Sequence, residues 1–504
     1  MISVMWKPRL ISRFITVLKT SCERSAPCRH SRCLSADTGE DAEYSRPPSK
    51  SQIAKSEIFG VSKPGKFQLC KGCGVCLQSK EPNKLGYVPS LEKITCQRCF
   101  HLTHYEDALH VTLSTEEYFN MLSGLNTKRA LVLLMVDVLD FPSSLFPNIS
   151  QLISRESELL IVGNKADILL EPENSKMWDK YSHYILEIAE KSSLSGCRIR
   201  GVHFISAKTG QGLDDLVQYI MTQWGNRGDV YLLGCTNVGK STLFNQLMKM
   251  ICGSDKLDYN LPSTISRLPG TTLDVLKFPL VSVLKWKRLL VHKERVAKLG
   301  YEPEPGRGGY IPPAHEHWLH DTPGAVNDKQ LINLLTTAEL KKVLPSKPLK
   351  PRSFILKPGQ TLFLGGLYRL DYISGATTAY FTVIASHLLP LHTTKTVQAV
   401  ALYEKHVGGQ LLGVPIGGPD RMADYPPLVS TTHTITGVGW KKSASDLIFS
   451  AVGWVAVTTA NRVQVHLETF APKGIDVPIR TPALLAEAVN QRGSRSRSDK
   501  TKFY

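Results

Sequence analysis

The residues best suited to chemistry lie in the middle of this 504-residue chain, beginning with Gly234-Cys-Thr-Asn-Val-Gly239-Lys240-Ser241-Thr242. An apolar strand pattern precedes this stretch and a helical pattern follows it, the setting a phosphate-binding loop requires. Its glycines let backbone N–H groups wrap phosphate oxygens, and the helix amino terminus adds positive potential. Lys240 is expected to reach the β- and γ-phosphates and Ser241 to ligate Mg²⁺, with Gly234, Val238, Gly239 and Thr242 completing the cradle. Asn237 has two readings: a turn former, or a ligand that helps recruit K⁺ as a catalytic charge.

Asp321-Thr-Pro-Gly324 follows the short apolar stretch Trp318–Leu319. It fits a second Mg²⁺-associated element, in which Asp321 holds the metal through water and the Gly324 amide senses the γ-phosphate. Between the two elements, Pro269-Gly-Thr-Thr272 offers a switch threonine. Thr272 is the expected Mg²⁺ ligand and Thr271 the fallback. Base choice falls to Asn164-Lys165-Ala-Asp167, where the Asp167 carboxylate accepts two hydrogen bonds from guanine N1 and its exocyclic amine. Adenine cannot offer that pattern, and the Lys165 stem covers the ring. Ser206-Ala207-Lys208 adds a backbone contact to the guanine carbonyl and a second wall. Ala325 stands just after Gly324, where many GTPases place a water-orienting glutamine, so slow intrinsic hydrolysis is expected.

Strands are needed to hold these motifs, and apolar runs supply them at Ala130–Val136, Glu158–Val162, Gly201–Ile205, Asp229–Leu233 and Thr272–Pro279. Amphipathic segments such as Leu213–Trp224 fill the intervals. This alternation predicts an α/β fold, a mostly parallel sheet covered on both faces with the motifs at its strand ends. Asn164 and Ser206 precede Gly234, the reverse of the common small-GTPase order. The expected fold is therefore a circularly permuted P-loop GTPase sheet over residues 115–345.

Cysteine spacing predicts a further unit over residues 68–110. Cys70-Lys-Gly-Cys73 and Cys96-Gln-Arg-Cys99 are two CxxC knuckles able to set four thiolates around a structural Zn²⁺. Cys76 is a spare thiol. The finger either docks a partner or nucleates folding of a segment too small for its own core.

The formal charge of +17 points to a polyanionic partner or to a basic solubility surface. Residues 1–36 contribute a surplus of six positive charges, being Arg-rich and Ser-containing with the single acid Glu23, and leave about +11 elsewhere. They read as a mitochondrial transit peptide or as an ordinary basic tail. A linker over 37–67 follows. A basic insertion at about 280–315 is either an RNA contact or a solvated loop. The longest apolar runs fall short of the roughly 20 residues a membrane-spanning helix needs, so no transmembrane segment is expected. From about Arg352, Thr, Val, Gly and aromatics predict a β-rich domain over 352–485. There Tyr368-Arg369 and Trp440-Lys441-Lys442 offer surfaces to stack bases and hold phosphates, although core packing is the commoner role of individual aromatics. A basic tail occupies 490–504. No glycine fingerprint for flavin or nicotinamide and no haem–thiolate motif is found in the sequence.

Read in order, the cysteine finger, Cys96-Gln-Arg-Cys-Phe-His-Leu, Gly-Asn-Lys-Ala-Asp167, the Gly234–Thr242 loop, Pro-Gly-Thr-Thr-Leu-Asp274, Asp-Thr-Pro-Gly324 and Phe-Leu-Gly-Gly-Leu-Tyr-Arg-Leu-Asp371 resemble the YqeH family of permuted GTPases, in particular its mitochondrial branch. The resemblance spans roughly residues 68 to 480. It implies a treble-clef-like finger, GTP/GDP and Mg²⁺ binding, RNA contact, and a role in assembling the small ribosomal subunit, here in the mitochondrial matrix. The alternative is an organellar regulatory GTPase acting on a protein or a peripheral inner-membrane partner.

Overall fold

The computed structural model describes residues 70, 75–80, 86–90, 95–97, 99–100, 115–146, 148–169, 175–225, 227–252, 276–279 and 317–490, all within one unit, Ser56–Tyr504. The expected transit peptide, linker, basic insertion and Arg-rich tail beyond residue 490 lie outside the described residues. So do Cys73, Thr271 and Thr272.

After helix α1 (Thr115–Met121) the chain enters β1 (Ala130–Asp137), β2 (Glu158–Asn164), α2 (Ser175–Lys191), β3 (Arg198–Phe204) and α3 (Leu213–Tyr219), which runs on as a π-helical turn to Trp224. Then come β4 (Asp229–Gly234), α4 (Lys240–Cys252), β5 (Leu276–Pro279) and β6 (Trp318–Asp321). These six strands form one sheet in the order β3-β2-β1-β4-β6-β5, parallel except for β5. Every residue of β1 is buried, as expected of a central strand covered on both faces, whereas edge strand β3 is half exposed. The expected mostly parallel α/β sheet is present.

Beyond α5 (Thr337–Val343) the chain turns to β structure: β7 (Arg352–Leu356), β8 (Gln360–Leu364), β9 (Tyr368–Ser374), β10 (Ala379–Ala385), β11 (Leu391–Lys395), helix α6 (Thr396–His406), helix α7 (Gly418–Ala423), β12 (Leu428–Thr436), β13 (Ser445–Phe449), β14 (Gly453–Thr458), β15 (Gln464–Pro472) and β16 (Ile479–Arg480). Two antiparallel sheets result, β16-β13-β14-β10-β7 and β11-β8-β9-β15-β12.

The first of these sheets is buried on both sides over its central strands, and the side-chain period of two explains its near-continuous apolar sequence. Phe381, Val383, Leu447, Phe449, Val455 and Val457 face the core shared by the two antiparallel sheets. The alternate residues Ile384, Ile448, Trp454 and Ala456 join the core of the parallel sheet. Arg480 closes this junction. It is buried, its Nη2 lies 2.7 Å from Asp446, and its guanidinium lies 5.2 Å from the Tyr181 ring on α2 and 4.7 Å from the Trp454 ring. A buried guanidinium is tolerated only with its charge paired and its flat faces covered. Arg480 meets both conditions.

Candidate nucleotide site

Strand register sets the site. β1 and β2 pair Asp137 with Asn164, β1 and β4 pair Met135 with Gly234, and β4 and β6 pair Leu232 with Asp321. The ends of β1, β2, β4 and β6, the last three carrying motifs, therefore meet at one edge of the sheet, the carboxyl edge where such folds bind ligands.

The loop from Gly234 to Gly239 opens directly into α4 at Lys240. Asn237 adopts a left-handed conformation with φ of 60°, which a short polar side chain tolerates. Gly239 has no room for a side chain: a Cβ there would sit 2.2 Å from Asn164 Nδ2. Asn164 ties three motifs together. Its Nδ2 donates to the Val238 carbonyl at 2.7 Å, and its Oδ1 accepts from the Ala207 amide at 2.9 Å. The phosphate loop, the Asn-Lys-x-Asp loop and the Ser-Ala-Lys loop are thus fixed through one carboxamide.

Lys240 is buried, and its ammonium donates to the carbonyls of Gly234 at 3.0 Å and Cys235 at 2.8 Å. Burial pushes its pKa down to about 8, against the pull of Asp321. Such an ammonium, desolvated and at a helix amino terminus, is suited to meet phosphate oxygens. Ser241 Oγ donates to Asp321 Oδ2 at 2.8 Å, so the two expected Mg²⁺-associated groups are in contact across 80 positions of chain. A hydroxyl beside a buried carboxylate is a fitting donor set for a hard divalent cation. Thr242 follows in the first turn of α4, partly exposed.

The Asp321-Thr-Pro-Gly segment is zipped to the phosphate loop. Ala325 donates to the Gly234 carbonyl at 3.1 Å, and Thr236 donates to the Ala325 carbonyl at 2.9 Å. A Cβ at Gly324 would approach Thr236 Cα to 2.8 Å. Thr322 Oγ1 donates to the Leu232 carbonyl at 2.6 Å, and Tyr118 of α1 is buried beside it.

Lys165, with φ of 67°, and Asp167 flank Ala166 on a short turn, both partly exposed at the mouth of the site. Ser206 is buried and Lys208 exposed. The structure thus gathers Asn164, Lys165, Asp167, Ser206, Ala207, Lys208, the Gly234–Thr242 loop, Asp321 and Gly324 at one end of the sheet.

Two acids escaped the sequence reading. Asp137 ends β1 and Asp140 follows three residues later. Asp137 Oδ2 lies 2.6 Å from Lys165 Nζ, which fixes the stem expected to cover the base. Asp140 is buried and reaches the other way: Oδ2 accepts from Gln330 Nε2 at 2.9 Å, and Oδ1 accepts from the Ala451 amide at 2.9 Å. Burial, and then Asp137, push its pKa up to about 6. Two acids three residues apart at the end of a fully apolar strand were the available signal.

Of the expected zinc ligands, Cys70, Cys96 and Cys99 are buried with their sulfurs within 4.8 Å of one another. The Cys96 amide donates to Cys70 Sγ at 3.2 Å and the Cys99 amide to Cys96 Sγ at 3.5 Å. Amides aimed at sulfur favour thiolate, the form that binds metal. These three cysteines can hold a Zn²⁺. Cys76 is exposed and outside the cluster.

In the β-rich part, Tyr368 and Arg369 are buried and unavailable to bases. Tyr368 donates to the Ser450 carbonyl, and Arg369 pairs with Asp371 and covers the Phe470 ring. Trp440 is exposed.

Comparison with known proteins agrees with this geometry. The family described as 50S ribosome-binding GTPase matches residues 229–344, and the family described as YqeH-like, C-terminal, matches residues 378–483. Nitric oxide-associated protein 1 of Mus musculus is 33% identical, over 88% of this chain and 80% of its own length. Its Homo sapiens counterpart is 32% identical over 84% of this chain and 76% of its own length, and the uncharacterized protein YqeH of Bacillus subtilis (strain 168) is 35% identical over 82% and 98%. A GTPase match over the phosphate loop, a YqeH-like match over the β-rich part and relatives aligned along most of the sequence converge on one assignment: this chain belongs to the family of GTPases that includes YqeH and nitric oxide-associated protein 1.

Proposed function

We propose that this chain is a circularly permuted, guanine-specific GTPase of the mitochondrial matrix that assists assembly of the mitochondrial small ribosomal subunit, and so mitochondrial translation, by GTP-gated binding to ribosomal RNA. The observation that carries the gating is the pair of bonds made by Asp140. They link the strand end beside the guanine-reading loop to Gln330, just past the Asp321–Gly324 switch, and to Ala451 in the β-rich domain. A shift of the switch on nucleotide exchange is thereby transmitted to the β-rich domain.

In this reading Asp167 accepts from guanine and Lys165 covers the ring. The Ala207 amide is engaged by Asn164, so the guanine carbonyl falls to the next amide, Lys208. Lys240 and the Gly234–Thr242 loop hold the phosphates; Ser241, Asp321 and Thr272 hold Mg²⁺. Cys73 completes the Zn²⁺ site of a treble-clef-like finger. Residues 1–36 are a transit peptide, and the remaining boundaries follow the sequence: finger 68–110, GTPase 115–345, RNA-binding domain 352–485. Ala325 is apolar and its backbone is engaged, so nothing there orients a water and turnover is slow until K⁺, held through Asn237, or a ribosomal partner supplies charge. Asn237→Ala should abolish any rate advantage of K⁺ over Na⁺; equal rates for the unaltered protein in the two salts would end the K⁺ role.

The decisive test is salt-sensitive co-sedimentation with purified mitochondrial subunits. Association with the small subunit under a non-hydrolysable GTP analogue, and its loss with GDP, is expected. The family description names the 50S particle, so the large subunit is the direct comparison. Flotation with anionic liposomes and no binding to either subunit would favour the inner-membrane alternative instead.

A further inference from the structure

The exposed face of the first antiparallel sheet carries an apolar patch that packing leaves open. Trp440 is 42% exposed with its ring centroid 5.1 Å from that of Tyr380, the two planes at 53°. Tyr380 on β10 is directly opposite Ile355 on β7, which is 62% exposed, and Val438 next to the Trp440 loop is 57% exposed. Further along β10 the same face is covered, since Ile384 enters the core of the parallel sheet. The patch begins where that cover ends.

The loop presenting Trp440 is held at both ends. Gly437 donates to the Val463 carbonyl at 2.9 Å and Gly439, with φ of +110°, to the Thr459 carbonyl at 3.2 Å. On the other side Asn490 Nδ2 donates to the Lys441 carbonyl at 2.8 Å and the Ser443 amide to the Ala486 carbonyl at 2.8 Å. An indole fixed in place yet left in water loses apolar burial for no gain in stability, and such patches mark binding surfaces. Lys441 and Lys442 rim it, Lys442 sharing its charge with the exposed Glu487 at 3.5 Å.

We propose that Trp440, Tyr380 and Ile355, with Lys441 and Lys442, form a platform for unpaired RNA bases. Flat aromatic surface supplies stacking for any base, and adjacent ammonium groups meet the flanking phosphates. Tyr380 and Ile355 project side by side from the open face of a sheet, next to the Trp440 ring and the exposed Lys441 and Lys442, so flat apolar surface and positive charge lie together as a base and its phosphate require. The proposal rests on the ribosomal reading for its partner class and adds the place of contact and the preference for single strands.

The test uses the full chain with a GTP analogue bound, a labelled single-stranded RNA 12-mer and a duplex of the same length, read by fluorescence anisotropy. Trp440→Ala should weaken single-strand binding about tenfold, the scale of one lost stack, with little change for the duplex. Trp440→Phe should retain most of the affinity. Changing both Lys441 and Lys442 to Ser should reduce the slope of log affinity against log salt by about 1.4. Unchanged single-strand affinity in a Trp440→Ala protein with normal thermal unfolding overturns the platform, even where subunit co-sedimentation persists. Loss of anionic-liposome binding in that variant, with RNA binding intact, overturns it in favour of a membrane contact. An unaltered protein that binds no RNA overturns both this inference and the ribosomal reading.

Discussion

Asp140 and Ala451 are 311 positions apart in the chain and joined by one hydrogen bond, from the Ala451 amide to Asp140 Oδ1 at 2.9 Å. The bond crosses from the nucleotide-site edge of the parallel sheet to the antiparallel sheets. A second route runs beside it: Tyr181 donates to the Val138 carbonyl, and Arg480 stacks on Tyr181. The loop after β1 is thus held by the β-rich domain through a buried carboxylate and, via α2, through a buried guanidinium.

Replacing Asp140 tests the first route. Asp140→Ala leaves the Ala451 amide and the Gln330 amide without their acceptor, which should cost about 3 kcal/mol. Asp140→Asn can keep the Ala451 bond, with Gln330 turned over to accept, and should stay within about 1 kcal/mol of the original. The pH dependence carries the sign. The folded pKa is raised to about 6, above the ordinary carboxylate range near 4, so the stability linked to its protonation is full below about pH 4 and lost as pH rises through about 6. Thermal unfolding at pH 5 and 7.5 should show a steeper fall for the unaltered protein than for Asp140→Asn.

Gly239→Ala should abolish nucleotide binding by steric means. The added methyl meets Asn164 Nδ2 at 2.2 Å and forces out the side chain that joins three loops. Titration with a fluorescent GDP analogue should show a loss of about 100-fold or more, the scale of two charge-free bonds broken in a preorganised site. Asn164→Ala should lose less, since it removes the bonds without the clash.

The proposed function assigns base selectivity to Asp167. In Asp167→Asn the amide can donate where the carboxylate could only accept, so a base with a carbonyl at its 2-position gains what guanine loses. GTP affinity should fall about 100-fold and that of xanthosine triphosphate should rise, in the same titration. A variant that binds GTP as before would remove Asp167 from base reading.

Metal removal should act on the finger and spare the nucleotide site. Elemental analysis should find one zinc per chain, lost on strong chelation, with Cys96→Ser already lacking it. GDP binding should survive in both samples.

The nucleotide motifs were legible because each depends on a few adjacent residues whose spacing is set by a loop. Gly234–Thr242, Asn164–Asp167, Ser206–Lys208 and Asp321–Gly324 all converge where strand ends had been expected. The links between domains were not legible in this way. Asp140 finds Ala451 and Arg480 finds Tyr181 across hundreds of positions, and no local spacing encodes such pairs. At Tyr368-Arg369 local spacing leaves base stacking and core packing both open, and tertiary packing, which buries both residues, decides for the core. The apolar runs of β10, β13 and β14 carried a quieter signal. Continuous rather than alternating hydrophobicity meant that a β-rich sheet had another partner on its second face, here the parallel sheet.

The central claim is that the nucleotide state reaches the β-rich domain through the loop after β1. Hydrogen exchange of the segments containing Leu331 and Ala451, measured with a GTP analogue and with GDP, tests it most directly. Leu331 donates its amide to Ser450 Oγ at 3.0 Å, next to the Asp140–Ala451 bond, so both segments should exchange at different rates in the two states. Identical exchange in both segments, with nucleotide bound throughout, would contradict the account.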